Sequence, residues 1–197
     1  MMETTDYCFS FFRKPIQNIE PIRAVGIVYR YIIGHYAQPQ TEALRLMLSS
    51  SEAKRYKATH FDYCTFSGLF RKRNEKELIM HSGLMCLDFD HVDNIGELKQ
   101  QLLNHEYFDT ELLFVSPSGN GLKWIIPVDL KGWEHSRYFK AVANCIKATG
   151  LPLVDMSGSD VARSCFLSYD PQAYINHKYK DDVEENIFRP RLGECPF

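Results

Sequence analysis

The run Leu84-Met85-Cys86-Leu87-Asp88-Phe89-Asp90 constrains this chain more than any other stretch. Its apolar opening reads as a buried strand, and its end alternates acid with hydrophobe. Side chains alternate across a strand, so Asp88 and Asp90 share one face while Leu87 and Phe89 point into a core. Two like charges about 6 Å apart repel by roughly 3 kcal/mol at an effective dielectric near 20. A divalent cation between them relieves that repulsion, and oxygen ligands of this kind suit Mg²⁺ or Mn²⁺. The plainer alternative is a strand end that reaches solvent, where Asp is common.

The elements around this strand alternate in type. Residues 6–13 read as a strand ended by Pro15. From Glu20, with Pro21 in a first-turn position, Ile22, Val25, Val28 or Tyr29, Ile32 and Ile33 recur at helical spacing. Further helices are expected over 40–49, over 51–58 behind a Ser51 cap, over 94–104 and over 133–149. Strands are expected over 63–66, 84–89, 111–115, 122–128 and within 161–169, and the polar stretch 71–77 reads as a hairpin tip or surface loop. This order predicts an α+β fold, an antiparallel or mixed sheet packed on helices. The expected division is a mainly helical unit over 1–60, a core over 61–175 and a polar tail or linker over 176–197.

Two more segments carry chemistry-bearing side chains. Ser116-Pro117-Ser118-Gly119-Asn120-Gly121-Leu122-Lys123-Trp124 joins two expected strands. Its glycines permit close backbone approach, and the Ser116 and Ser118 hydroxyls with successive amides could wrap anionic oxygens. Lys123 adds a point charge suited to phosphate. It is not a Walker loop, because GxxxxGK[ST] is unmatched and a strand follows; its alternative is an ordinary hairpin turn. The later segment from Leu153 to Arg163 supplies Asp155, Asp160 and the Arg163 guanidinium.

Composition sets the outer limits. With 197 residues, 45% hydrophobic and 24% charged, the chain is of globular rather than disordered or coiled-coil type. A net charge of −2 excludes a uniformly basic nucleic-acid coat while permitting local basic clusters, such as Lys54-Arg55-Lys57 and Arg71-Lys72-Arg73. The six cysteines lack paired metal-site spacing and read as reduced core thiols of a cytoplasmic protein. The longest apolar stretch, Ile22 to Ile33, is interrupted by Arg23 and Arg30 and is too short to span a bilayer, so no membrane partner is expected.

Taken in order, the strand with two acids, the Ser/Gly/Lys turn and the later Asp with Arg resemble the three motifs of the archaeo-eukaryotic primase superfamily. The likeness is closer to the VirE N-terminal domain family, the primase-polymerase-like domain of mobile-element replication proteins. It is carried by Thr65-Phe66-Ser67-Gly68, Ser82-Gly83-Leu84 with Asp88-Phe89-Asp90, Ser116 to Trp124, and Asp160 to Pro171, within residues 60–175. That resemblance implies an RRM-like sheet bearing Asp88, Asp90 and Asp155 as catalytic metal ligands, with Asp160 in reserve. It implies nucleotide phosphates on Ser116, Ser118, Gly119, Gly121, Lys123 and Arg163, and Mg²⁺ or Mn²⁺ as cofactor. The implied partners are nucleoside triphosphates, single-stranded or primed DNA (or RNA), and a VirE-type helicase. Lys123 stands where primases of the wider superfamily usually place a His.

The expected function is therefore metal-dependent nucleotidyl transfer in replication of a mobile element. One alternative is a non-catalytic module that binds nucleotide or single-stranded nucleic acid. The other is a haloacid-dehalogenase-like phosphatase, which also opens on a hydrophobic strand and Asp-x-Asp. Asp88-Phe89-Asp90-His91-Val92 fits that pattern in part only, since Val92 replaces its small hydroxyl residue and no later strand ends in an acidic pair.

Overall fold

Among the described residues up to His60, two paired strands precede three helices. The structure is a computed structural model and describes residues 7–13, 17–22 and 24–179. In chain order, β1 (Phe9–Arg13) and β2 (Gln17–Ile22) precede α1 (Val25–Ile33), α2 (Gln38–Arg45) and α3 (Ser50–His60). Four strands follow: β3 (Tyr63–Thr65), β4 (Gly68–Phe70), β5 (Leu78–His81) and β6 (Leu84–Phe89). Then come α4 (Ile95–Leu103), β7 (Leu112–Val115), β8 (Leu122–Pro127) and α5 (His135–Ala148). A 3-10 turn (Met156–Ser159), β9 (Cys165–Phe166), β10 (Tyr174–Ile175) and a last 3-10 turn (His177–Tyr179) complete the described chain.

The result is a mixed α and β fold with antiparallel sheets and five α-helices among the described residues. One four-stranded sheet runs β2-β1-β3-β9, the second runs β10-β7-β8-β6, and β4 pairs with β5 as a hairpin. Among the described residues, every strand pair is antiparallel.

The second sheet is covered on both faces. Met85, Leu87 and Phe89 of β6 join Leu113, Trp124 and Ile126 against Leu98 and Leu102 of α4 and Phe139, Val142 and Ile146 of α5. On the opposite face, Leu84, Leu112, Phe114 and Ile125 meet Phe9, Phe11, Val25, Val28, Ile32 and Cys64. The Leu87 and Phe89 side chains are fully buried, as their alternation with Asp88 and Asp90 predicts. Trp124, also fully buried, satisfies its indole N–H by donating to Thr110 Oγ1 at 2.7 Å.

Several sequence expectations shift. Residues 17–22 form a strand rather than the start of a helix, and Pro21 pairs opposite Ser10. Because β2 is an edge strand, the missing N–H of Pro21 is tolerated there. Helical periodicity resumes at Val25, and Val25, Val28 and Ile32 are the buried stripe of α1. The third helix is capped by Ser49, whose Oγ accepts from the Glu52 amide at 3.4 Å, not by Ser51. The second ends at Arg45, leaving Leu46 and Leu48 exposed. The expected strand within 161–169 is reduced to two residues, and β10 is an addition; the polar stretch 71–77 lies between β4 and β5, which pair as a hairpin whose two strands the sequence pattern did not place. The boundary at residue 60 runs through a sheet, since β1 pairs with β3. Of the expected tail, 180–197 lies outside the described residues.

Candidate functional site

The end of β6 delivers Asp88 to the face that carries Cys86, away from α4 and α5. Across the ladder its partner is Lys123 of β8, and Phe114 of β7 stands beyond it. The Lys123 ammonium donates to Asp88 Oδ2 in a direct ion pair, both side chains being largely buried. Asp88 Oδ1 is also buried and has no hydrogen-bond partner. Asp90, beyond the strand end, is exposed.

Asp155 comes from a different part of the chain. Its amide donates to the Asp88 carbonyl at 2.8 Å, which attaches the segment before the 3-10 turn to the free edge of β6. Its carboxylate caps that turn, accepting from the Ser157 amide at 2.9 Å and the Ser157 hydroxyl at 2.5 Å. One carboxylate oxygen from each of Asp88, Asp90 and Asp155 lies within 4.8 Å of the others. Arg163 flanks the group, with Nη2 3.6 Å from Asp155 Oδ2.

Charge around the cluster is balanced by burial and by cations. Burial alone would raise the Asp155 pKa, but the two Ser157 hydrogen bonds, with Arg163 and Lys123 behind them, bring it below the ordinary aspartate value. For Lys123, burial lowers the pKa; Cys165 and Cys86 oppose this, while Lys57 and Arg163 add to it.

Of the expected site residues, the structure brings Asp88, Asp90, Asp155, Lys123 and Arg163 together. Asp160 is not in the acidic group: its Oδ1 accepts from the Ala162 amide at 2.8 Å. The 116–121 turn adjoins β6, because a Cβ on Gly121 would lie 2.3 Å from the Phe89 carbonyl oxygen. Gly119 adopts φ 81, which an L side chain resists. Within the turn, Ser116 is buried and its amide donates to the Gly121 carbonyl at 2.8 Å, while Ser118 Oγ donates to Asn120 Oδ1 at 2.8 Å. These groups build the turn, so the polar groups it turns toward a ligand are fewer than its composition suggests.

Sequence reasoning missed Arg45. From the end of α2 it donates to the Pro117 carbonyl at 3.3 Å and the Ser116 carbonyl at 3.4 Å, bracing the turn from behind. Nothing in a short polar helix signals that contact. It also read Lys123 as free for phosphate, although its register opposite Asp88 gives it a carboxylate partner. Of the cysteines expected in the core, Cys64 and Cys165 are buried, while Cys8, Cys86 and Cys145 are half-buried. No helix among the described residues is long and apolar enough to cross a membrane.

This is an α and β domain with three carboxylates gathered at a strand end beside a lysine and an arginine. Residues 55–175, more than half of the chain, match the BT4734-like, N-terminal domain family, and the chain belongs to it. That match corrects the resemblance drawn from the motifs: the family is not the VirE N-terminal domain. The quoted motifs are short, and family membership rests on the whole 55–175 pattern rather than on acids, glycines and a lysine in order. No curated protein and no solved structure matches the chain.

Proposed function

We propose that this domain binds a divalent cation and a nucleoside triphosphate at the Asp88–Asp90–Asp155 cluster, and that it carries out nucleotidyl transfer there. The observation that carries the reading is the convergence of three carboxylates, from β6 and from the segment ahead of the 3-10 turn, within 4.8 Å. The donor set is all oxygen, which suits Mg²⁺ or Mn²⁺. The buried, unpartnered Oδ1 of Asp88 fits a ligand atom awaiting a cation, because such an atom is otherwise costly. Bound there, the ion would supply charge neutralisation to the phosphates and acidify a nucleophilic hydroxyl.

The chain's own residues have distinct roles in this reading. Arg163, half exposed beside Asp155, is placed to hold phosphate oxygens. Asp88 would hold the cation, and Lys123, now paired with Asp88, would then be released to offer a second phosphate contact. In the transfer, a 3′-hydroxyl oxygen bonds to the α-phosphorus, the bond from that phosphorus to the bridging oxygen of the β-phosphate breaks, and pyrophosphate leaves. The hydroxyl proton passes to water. Lys54, Arg55 and Lys57 on exposed α3 offer a path for a nucleic-acid backbone. The unit β6-α4-β7-β8-α5, with sheet order β7-β8-β6, supports an RRM-like, primase-polymerase-type core.

A second reading is a module that binds nucleotide or single-stranded nucleic acid without turnover. The Lys123–Asp88 pair favours it, since one of the three acids is already neutralised by the protein itself. Extension of a labelled primer on a template with Mn²⁺ or Mg²⁺, beside Asp88→Asn, separates the two. Extension lost in the variant supports transfer; nucleotide and strand binding with no extension supports the module.

A further inference from the structure

Two histidines form a hydrogen-bonded series that ends on the turn carrying Asp155. The Gly83 amide donates to Nδ1 of His81 at 3.1 Å. Nε2 of His81 lies 3.1 Å from Nδ1 of His135, and Nε2 of His135 lies 3.1 Å from the Gly158 carbonyl oxygen. An amide only donates and a carbonyl only accepts, so the protons have a single arrangement. His81 accepts at Nδ1, carries its proton on Nε2 and donates to His135. His135 therefore accepts at Nδ1 and donates from Nε2 to Gly158. Both rings are neutral, because a proton added at Nδ1 of either would set two N–H groups against each other.

Gly158 is where this series takes hold of the turn. A Cβ there would lie 2.6 Å from the Phe139 ring and 3.2 Å from the Cys86 carbonyl oxygen, so the turn lies directly against α5 and β6. At its start the turn is attached through the Asp155 amide to the Asp88 carbonyl, and at Gly158 through His135. The Asp155 carboxylate, bonded to Ser157, moves only if the turn moves.

We propose that His81 and His135 are positioning residues: as a neutral, tautomer-locked pair they hold the 156–159 turn so that Asp155 stays beside Asp88 and Asp90, and protonation of either ring releases it. This deepens the reading of the acidic cluster as a cation site and, for its effect on binding, rests on that reading. Burial and the adjacent His135 pull the His81 pKa down to about 4. Burial lowers His135 as well, against the Gly158 carbonyl, Asp160 and Glu75, which favour its cation. Asp160, just after the turn, and Glu75, ahead of β5, are the carboxylates that act on His135.

The test uses the full chain, with Mn²⁺ alone as the binding probe. At pH 7, ring ¹H–¹⁵N spectra should show both histidines neutral with the proton on Nε2. His135→Leu should speed amide exchange over residues 156–160 at least tenfold and weaken Mn²⁺ binding by about tenfold, the order expected when a residue supporting a metal ligand is lost. His135→Gln, which keeps a donor for Gly158 and an acceptor for His81 but does not titrate, should restore both. Lowering the pH from 6.5 to 4 should loosen 156–160 more in the wild type than in His135→Gln. The wild-type spectra and pH profile stand even if His135→Leu does not fold. Protons on Nδ1, a charged ring at pH 7, or identical exchange in the wild type and His135→Leu would overturn the proposal. Exchange and tautomers as expected, with no Mn²⁺ bound by the wild type, would support the positioning role and remove the cation-site reading.

Discussion

Asp88 and Lys123 stand opposite each other in the β6–β8 ladder, and the ammonium rests on Oδ2 while Oδ1 is left buried without a partner. The pair is therefore half satisfied. The lysine offsets the cost of burying the acid, yet one of its oxygens stays buried without a partner, and two further carboxylates lie close to Asp88.

Lys123→Met should unmask that imbalance. Removing one partner of a buried pair leaves an uncompensated charge, and destabilisation of about 3–5 kcal/mol is expected in urea denaturation. Mn²⁺ should recover more melting temperature in Lys123→Met than in the wild type, because the cation takes the place of the lost ammonium. Equal Mn²⁺ responses in the two proteins would count against a shared location.

Asp88→Asn combined with Asp90→Asn should abolish the rise in melting temperature on Mn²⁺ titration, read by differential scanning fluorimetry. Lys123→Ala should weaken nucleoside triphosphate binding by roughly 1–3 kcal/mol if its ammonium meets phosphate, as charged hydrogen bonds carry about that much. Isothermal titration of both proteins with the same nucleotide decides it.

Gly121→Ala places a Cβ against the Phe89 carbonyl oxygen, where only 2.3 Å is available. Backbone cannot swing aside as a side chain does, so the turn must shift off β6, at a cost of about 1–3 kcal/mol. Thermal unfolding should show the loss. By contrast, alanine at Gly132, where a Cβ meets nothing within 4 Å, should cost only the strain of its positive φ.

Acidification should weaken the fold in a defined window. His81 titrates at about 4 when folded against 6.5 when unfolded, so between these values the unfolded chain binds the extra proton. Its contribution is complete above pH 6.5 and is lost as the pH falls through about 4. Asp155, held below its ordinary 3.8, loses its contribution only at lower pH still. Urea midpoints at pH 7, 5.5 and 4 should fall in that order, and His81→Gln should flatten the upper part of the curve.

The legible parts were those with strong periodicity. Leu84–Phe89, the 122–127 strand and the long helix over 135–148 show in the pattern because each buries a regular set of side chains. The three acids were legible by type and order, and the structure does gather them. Pairing was not legible: nothing local says that Asp88 faces Lys123, or that Arg45 reaches the 116–121 turn. Proline misled at position 21, because its fixed φ serves an edge strand as well as a helix start. The histidines gave no signal at all, since a hydrogen-bonded series through Gly83, His81, His135 and Gly158 is assembled from three separate elements.

The β1–β3 pairing has a practical consequence for the boundary of the family match. A chain begun at residue 55 would keep β3 but lose Ser10, Phe11 and Phe12, which pair with Thr65, Cys64 and Tyr63. The Phe70 amide would lose the Ser10 hydroxyl that accepts from it at 2.9 Å. β3 would then present bare N–H and C=O groups along one side, an invitation to self-association. The segment shared by descent is thus shorter than the segment that must be made together, and the opening strands are sewn onto a sheet whose other half comes from β3 and from β9, far along the chain.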